Sequence, residues 1–302
     1  TTVKADKAWD YLRTNISAAN PGTGSKILMI DSGALLTHTA LQGKVGQVII
    51  APAYTGYSVY DSLATTIPYV GKTTDQQTAI ATAAKHGTGI AGVIVGNKTT
   101  SYGTTAGIAF GATLDVLQLA QQKDSIITHD GNISGVYTSI LSNGYLSNLI
   151  QTNGYNVVNM SFGDNSALYY QTMISQAITK NVLITVSAGN NSYNADQTTP
   201  IYAQDYTSPL APAIYAGTLN TSSTTGMVLA VTGDTISYGN GRPSNQPNIN
   251  FCGSAALYCL AAPNTNIAAP KPGTDYTSET VDSYATHAGT SYSAPIVAGA
   301  AA

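Results

Sequence analysis

Charged side chains are scarce in this sequence. Asp, Glu, Lys and Arg make up 9% of its 302 residues, against roughly a quarter in average globular proteins. The net charge is −3, so there is no electrostatic case for binding nucleic acid or an anionic membrane. The polar surface is therefore expected to consist mainly of Ser, Thr, Asn, Gln and the 20 Tyr residues.

Long apolar runs and targeting segments are also missing. No stretch reaches the roughly 18 apolar residues that a membrane-spanning helix needs, and no signal peptide stands at Thr1. The sequence is interpreted as a mature or trimmed chain. It has no internal repeat and no linker with a clear shift in composition, so we expect residues 1–302 to form one domain.

Cysteine is rare as well, with Cys252 and Cys259 the two in the chain. Their spacing is not C-x-x-C, and no His-rich partner indicates a zinc site. Two interpretations remain: a pair of reduced thiols, or a small disulfide within a polar loop. The low charge and the Ser/Thr/Asn surface are typical of extracellular proteins and favour the disulfide.

Short apolar runs alternate with longer amphipathic or small-residue segments along most of the chain. The runs predict strands at 27–30, 48–50, 114–119, 157–160, 182–186 and 228–231. Helices are predicted within 1–20, 87–96, 135–152 and 166–180, and after Ser291. This alternation predicts an α/β fold with a mainly parallel central sheet flanked by helices in three layers.

Polar or glycine residues directly follow three of the predicted strands. Asp31, Gly163 and Asn190 stand at these positions, and the carboxyl ends of parallel strands meet at one edge of a sheet. Asp31 and Asn190 could each be a plain turn residue. Their common position at one edge nevertheless indicates a site there.

A base and a hydroxyl are predicted near the same edge. His86 and Ser291 are each predicted to begin a buried helix of small residues, with Pro295 in the first turn of the second helix. Taken alone, His86 would be structural and Ser291 a helix cap. Together with Asp31 they supply the acid, base and nucleophile of serine hydrolase chemistry.

The order Asp31, His86, Ser291 is that of subtilisin. The stretches 31–33, 86–89 and 289–295 resemble the three catalytic motifs of the subtilisin-like serine proteases, and 107–112, 159–163, 187–190 and 262–263 resemble further family segments. The resemblance spans roughly residues 4 to 302. It implies a serine endopeptidase acting on proteins or peptides through an acyl-enzyme.

By this resemblance Asp31, His86 and Ser291 form a triad, and Asn190 joins the Ser291 N–H in an oxyanion hole. Substrate would contact residues of two segments: Ser161, Phe162 and Gly163, then Ser187, Ala188 and Gly189. An α/β-hydrolase is excluded because no Asp or His follows Ser291. A non-catalytic surface or adhesin module on the same scaffold is the alternative. His38, His129 and His287 are less favoured as the base and more consistent with shaping loops.

Four positions depart from the usual family pattern. Gly89 replaces His, Phe110 replaces Pro, Asn264 replaces Gly, and Tyr292 replaces the Met of the best-known members. The last change and the two cysteines resemble the autotransporter-passenger type of Gram-negative bacteria.

That subtype implies a secreted or cell-surface protein with a C-terminal translocator domain beyond this chain. The family's serine helix also normally extends further than 11 residues past Ser291, so we expect a longer native polypeptide. No cofactor is implied. The 15 acidic residues form no recognisable calcium loop, which leaves calcium undecided.

Overall fold

The computed structural model describes most of the chain, with gaps. The described residues are 5–15, 19–51, 58–59, 74–98, 105–123, 126–128, 144–163, 171, 174–175, 178–190, 209, 212–220, 227–235, 249–272 and 282–302. His129, the first part of the helix predicted at 135–152 and most of the helix predicted at 166–180 lie outside them.

Twelve strands occur within the described residues. In chain order they are β1 (Lys26–Asp31), β2 (Val45–Ile50), β3 (Ser58–Val59), β4 (Thr113–Gln118), β5 (Gln121–Lys123), β6 (Ile126–Thr128), β7 (Val157–Met160), β8 (Leu183–Ser187), β9 (Val228–Gly233), β10 (Cys259–Ala262), β11 (Ile267–Pro272) and β12 (Asp282–His287). Seven of them form a parallel sheet in the order β10-β9-β8-β7-β1-β4-β2. Strands β11 and β12 form an antiparallel pair, and β3, β5 and β6 form a small third sheet.

Residues 171, 174–175 and 178 are helical, and five further α-helices have both ends within the described residues. They are α1 (Ala5–Asn15), α2 (Thr74–Val95), α3 (Tyr145–Asn153), α4 (Ala216–Leu219) and α5 (Thr290–Ala301), with 3₁₀ turns at Ala213–Tyr215 and Gly253–Tyr258. No helix in the described part of the chain is both long and apolar enough to cross a bilayer.

The central strands are apolar on both faces because helices cover both sides of the sheet. Alternate side chains of β1 point in opposite directions. Leu28 and Ile30 therefore join one apolar core, whereas Ile27 and Met29 join the other. The predicted α/β fold, with a parallel sheet flanked by helices, is confirmed.

Two local expectations were wrong, and one pair of strands was missed. His86 does not begin a helix, because α2 starts at Thr74 and the Ala- and Gln-rich segment before His86 continues it. Pro295 lies inside α5, not in its first turn. The antiparallel pair β11–β12 was not predicted, since its sequence lacks a clear apolar alternation.

Candidate active site

Asp31 lies at the carboxyl end of β1, in the interior of the sheet, with 4% of its surface exposed. Its Oδ1 accepts hydrogen bonds from the backbone N–H of Ser32 at 2.8 Å and from the Ser32 hydroxyl at 3.2 Å. The carboxylate is thus held in place by the turn that follows its own strand.

His86 meets this carboxylate from α2. Its Nδ1 lies 2.9 Å from Oδ1 and 3.0 Å from Oδ2 of Asp31. An ionised carboxylate only accepts hydrogen bonds, so the contact assigns the proton to Nδ1 and makes Nε2 the acceptor of a neutral ring. The His86 side chain is 38% exposed, so this imidazole is accessible from solvent.

Gly87 and Thr88, the two residues that follow His86, pack α2 against the loop after Asp31. The Thr88 hydroxyl accepts a hydrogen bond from the Leu35 N–H at 2.8 Å. A Cβ on Gly87 would overlap the carbonyl oxygen of Gly33 and lie 3.1 Å from Oδ1 of Asp31. Glycine at this position therefore lets the helix approach closely enough for the imidazole to reach the carboxylate.

Ser291 is the second residue of α5, whose N-cap is Gly289 with φ of 118°. This places Ser291 in the first turn, where backbone N–H groups lack helical acceptors. Residues 292–299 are buried, whereas Ser291 is partly exposed. Pro295 supplies no N–H to the carbonyl of Ser291 four residues earlier, so that helical hydrogen bond is missing.

Thr290 connects the start of α5 to Asn190. The Asn190 Oδ1 accepts hydrogen bonds from the Thr290 N–H at 2.8 Å and from its hydroxyl at 3.2 Å. The same hydroxyl oxygen accepts a hydrogen bond from the Gly189 N–H at 3.1 Å. With its carbonyl oxygen held this way, the Asn190 amide has a defined orientation. Sequence reasoning missed Thr290, although its place beside the serine was a usable signal.

The two predicted substrate segments also lie at the carboxyl edge of the sheet, after β7 and at the end of β8. Ser161 is buried, and its hydroxyl accepts a hydrogen bond from Asn159 at 2.9 Å. Phe162 and Gly163 are partly exposed. Residues 187–189 are buried, and the backbone N–H groups of Ala188 and Gly189 bond to Val231 and Thr290.

Most of the chain matches a known protein family. The model of the subtilase family matches residues 22–302. The chain belongs to the subtilase family. Among curated proteins, none matches the sequence significantly.

Several solved structures share the fold. A mutant of the protease domain of PatA is 19% identical, with a TM-score of 0.58 over 94% of this chain and 80% of that chain. The PatG macrocyclase in complex with peptide is 16% identical, with a TM-score of 0.57 over 98% and 80%. A cold-adapted subtilisin-like serine proteinase is 21% identical, with a TM-score of 0.51 over 94% and 76%. At these identities the similarity establishes the fold.

Neighbouring residues accommodate two of this subtilase's departures from the usual pattern. The side chain of Asn264 occupies the space beside Gly233, where a Cβ would overlap it, and bonds the backbone N–H and C=O of Thr235 at 3.0 Å each. Phe110 packs edge-to-face against Trp9, with ring centroids 5.3 Å apart. Each departure is therefore part of a local packing arrangement.

The histidines considered as alternative bases have other surroundings. His38 is buried, with Nε2 3.0 Å from the Ser283 carbonyl and Nδ1 3.1 Å from the Ala40 N–H. These contacts connect a loop to β12. His287, at the end of β12, stacks on Tyr292.

The subtilase contains the disulfide predicted between Cys252 and Cys259. It spans the 3₁₀ turn at Gly253–Tyr258 and ends at the first residue of β10, the edge strand of the main sheet. Cys252 packs into one of the two apolar cores. The bridge therefore anchors an otherwise exposed turn, in which Leu257 is 91% exposed.

Proposed function

We propose that this subtilase is a serine endopeptidase with Asp31, His86 and Ser291 as its catalytic triad. The contact of His86 Nδ1 with both oxygens of Asp31, at 2.9 and 3.0 Å, carries the proposal. It matches the acid–base half of a triad in distance, burial and tautomer. The ring of Tyr292, next to Ser291, has its centroid 6.0 Å from that of His86, so the serine helix begins beside the base.

The reaction follows from these positions. The Ser291 Oγ attacks the scissile carbonyl carbon while His86 Nε2 takes the hydroxyl proton. Asp31 stabilises the imidazolium that forms. The tetrahedral intermediate then expels the amine, which takes the proton from His86, and leaves an acyl-enzyme on Ser291. Water, deprotonated by His86, releases the acid and regenerates the serine.

Negative charge on the tetrahedral oxygen needs donors that are already oriented. We assign this role to the Ser291 N–H and the Asn190 Nδ2. The Asn190 Oδ1 is engaged by Thr290, which supports an amide orientation with Nδ2 as the donor toward substrate. The same contact would keep both donors in register, because Thr290 directly precedes Ser291.

The proposed substrates are proteins or peptides bound in extended form along residues 161–163, with the 187–189 backbone at the floor of the cleft. The partial exposure of Phe162 and Gly163 supports this arrangement. We further propose that the protein acts outside the cell or at its surface, as in the autotransporter-passenger type. Its disulfide supports an oxidising compartment.

A fluorophosphonate probe tests the activity against the alternative of a non-catalytic adhesin module. The wild-type protein should be labelled covalently, and mass spectrometry should map the label to Ser291 and not to Ser293 in the same peptide. Ser291→Ala and His86→Ala should both lose labelling and peptide hydrolysis while their melting temperatures stay close to wild type. Activity should also fall at acid pH, because imidazolium cannot accept the serine proton. A folded wild-type protein without labelling would support the adhesin module.

A further inference from the structure

Tyr292 occupies a space that only glycine at position 89 leaves open. A Cβ on Gly89 would lie 2.8 Å from the Tyr292 hydroxyl oxygen and 3.1 Å from its Cε1. Non-bonded atoms essentially never approach as closely as the first distance, and the second is tighter than most real contacts. The two departures from the family pattern, Gly89 in α2 and Tyr292 in α5, are therefore one packing arrangement between the base helix and the serine helix.

The Tyr292 ring lies between two histidines. Its centroid is 6.0 Å from that of His86 in an edge-to-face arrangement at 68°. The ring of His287 stacks on the Tyr292 ring, with the centroids 4.6 Å apart and an angle of 18° between the ring planes. Only 5% of Tyr292 is exposed. The three rings form a continuous row of contacts that runs from β12 to the base.

His287 and Tyr292 are both uncharged near neutral pH. Burial lowers the pKa of His287 to about 4, and positive charge on Lys85, His86 and Lys271 contributes to the shift. Burial also raises the pKa of Tyr292, with a further contribution from Asp31. A charge on His287 would oppose the imidazolium that forms on His86 during catalysis, and the low pKa of His287 keeps that charge absent near neutral pH.

We propose that Tyr292 and His287 are positioning residues that hold the imidazole of His86 in the orientation required for catalysis. This inference rests on the proposed protease function. The two bonds from Asp31 restrain the ring at Nδ1, and Tyr292 restrains it on a second side. Because Tyr292 is adjacent to Ser291 in α5, the same contact relates the position of the base to that of the nucleophile.

Substitutions at His287 separate ring stacking from titration. His287→Ala removes the ring behind Tyr292, and the fluorophosphonate labelling rate and kcat should fall at least about tenfold, with KM changed by less than about threefold. His287→Phe restores a flat ring without a titratable group and should return both rates to within about threefold of wild type. A purely structural role for His287 would alter the melting temperature but not this split between kcat and KM.

Substitutions at Gly89 and Tyr292 test the same ring contacts without changing His287. Gly89→Ala should displace Tyr292 and lower the labelling rate by a similar factor. Adding Tyr292→Phe removes the hydroxyl that the new Cβ meets at 2.8 Å, so the double variant should be faster than Gly89→Ala alone. The matched control is His38→Ala, which removes a buried histidine ring 5.3 Å from Tyr284. It should lower the melting temperature and leave the labelling rate of folded protein unchanged.

The outcomes separate the two proposals. An unlabelled wild-type protein refutes the protease function. A labelled wild type with His287→Ala at the wild-type rate refutes the positioning role, as does His287→Phe that is as slow as His287→Ala at equal melting temperature. If the His287 variants do not fold, the labelling rates of Gly89→Ala, Tyr292→Phe and the double variant form a double-mutant cycle that tests the inference. Additive effects of the two substitutions on the labelling rate overturn it.

Discussion

Gly87 determines how closely α2, the helix that carries His86, approaches the carboxylate of Asp31. The substitution Gly87→Ala changes this approach. The added methyl would enter the space of the Gly33 carbonyl oxygen and lie 3.1 Å from Oδ1 of Asp31. Asp31 ends β1, which is paired with β4 on one side and β7 on the other, and Gly33 lies in the turn that follows. We expect α2, and with it His86, to move outward by about 1 Å to restore van der Waals contact.

The expected effect on stability is small because two terms oppose each other. Alanine is favoured over glycine inside a helix by about 0.8–1.0 kcal/mol. Overpacking typically costs about 1–3 kcal/mol. The net loss is therefore roughly 0–2 kcal/mol, which a domain of ordinary stability survives.

The expected effect on activity is much larger. The contacts from His86 to Asp31 measure 2.9 and 3.0 Å, so a shift of about 1 Å takes them beyond hydrogen-bonding distance. A displacement of that size costs about 100-fold in rate. Without this bond, Asp31 also no longer holds the proton on Nδ1, so Nε2 is no longer fixed as the acceptor.

Gly43→Ala provides the control for this experiment. Gly43 is exposed with φ of 71°, and a Cβ there meets no atom within 4 Å. Its substitution should cost stability through backbone strain without moving the site. Fluorophosphonate labelling rates and thermal melts of both variants should show slow labelling for Gly87→Ala alone. Near-normal labelling of Gly87→Ala would refute the reasoning. It would mean that the loop at Gly33 moves to accommodate the methyl group while His86 stays in place.

Three further predictions follow from the site and its surroundings. Asn190→Ala should lower kcat by about 10²–10³-fold, the typical loss for one oxyanion donor, with KM changed less than threefold in steady-state kinetics; a lower melting temperature with intact kcat would make it a turn residue. Replacing Cys252 and Cys259 by Ser should cost about 2–3 kcal/mol in urea unfolding, from the entropy of a short loop; two free thiols in non-reducing mass spectrometry of the wild type would contradict this. Because the pKa of His287 is about 4 in the folded protein and about 6.5 when unfolded, the unfolded chain binds more protons between these values. Stability should therefore fall as pH drops from 6.5 to 4, by up to about 1.4 kcal/mol per pH unit, and His287→Phe should flatten this dependence in melts across that range.

The fold class and the motif positions could be read from the sequence because they depend on local patterns. Unbroken apolar runs such as Ile27–Ile30 can be buried only where both faces of a sheet are covered. Asp31 follows such a run directly and Asn190 lies three residues after the end of β8, so their place at the carboxyl edge follows from strand direction. The order of the three motifs then indicated the family.

The start of the base helix was misjudged for a physical reason. The small residues after His86 indicate a buried segment, and the helix was predicted to cover that buried segment alone. The polar segment from Thr74 continues the same helix, because helix formation there depends on backbone propensity and not on apolar periodicity. His86 consequently owes its position to packing against the Asp31 loop and not to a helix terminus.

Sequence patterns alone were enough to predict the main parallel strands and their alternation with helices, the residue types available at the sheet edge and two cysteines near enough to pair. Which side chains act on one another depends on the tertiary structure. Thr290 orients Asn190, Gly87 admits His86 to Asp31, and Gly89 makes room for Tyr292 between His86 and His287. These contacts join segments far apart in the chain, and whether they form depends on ångström-scale distances set by the packing of whole helices. Local propensity and periodicity carry no information about such distances.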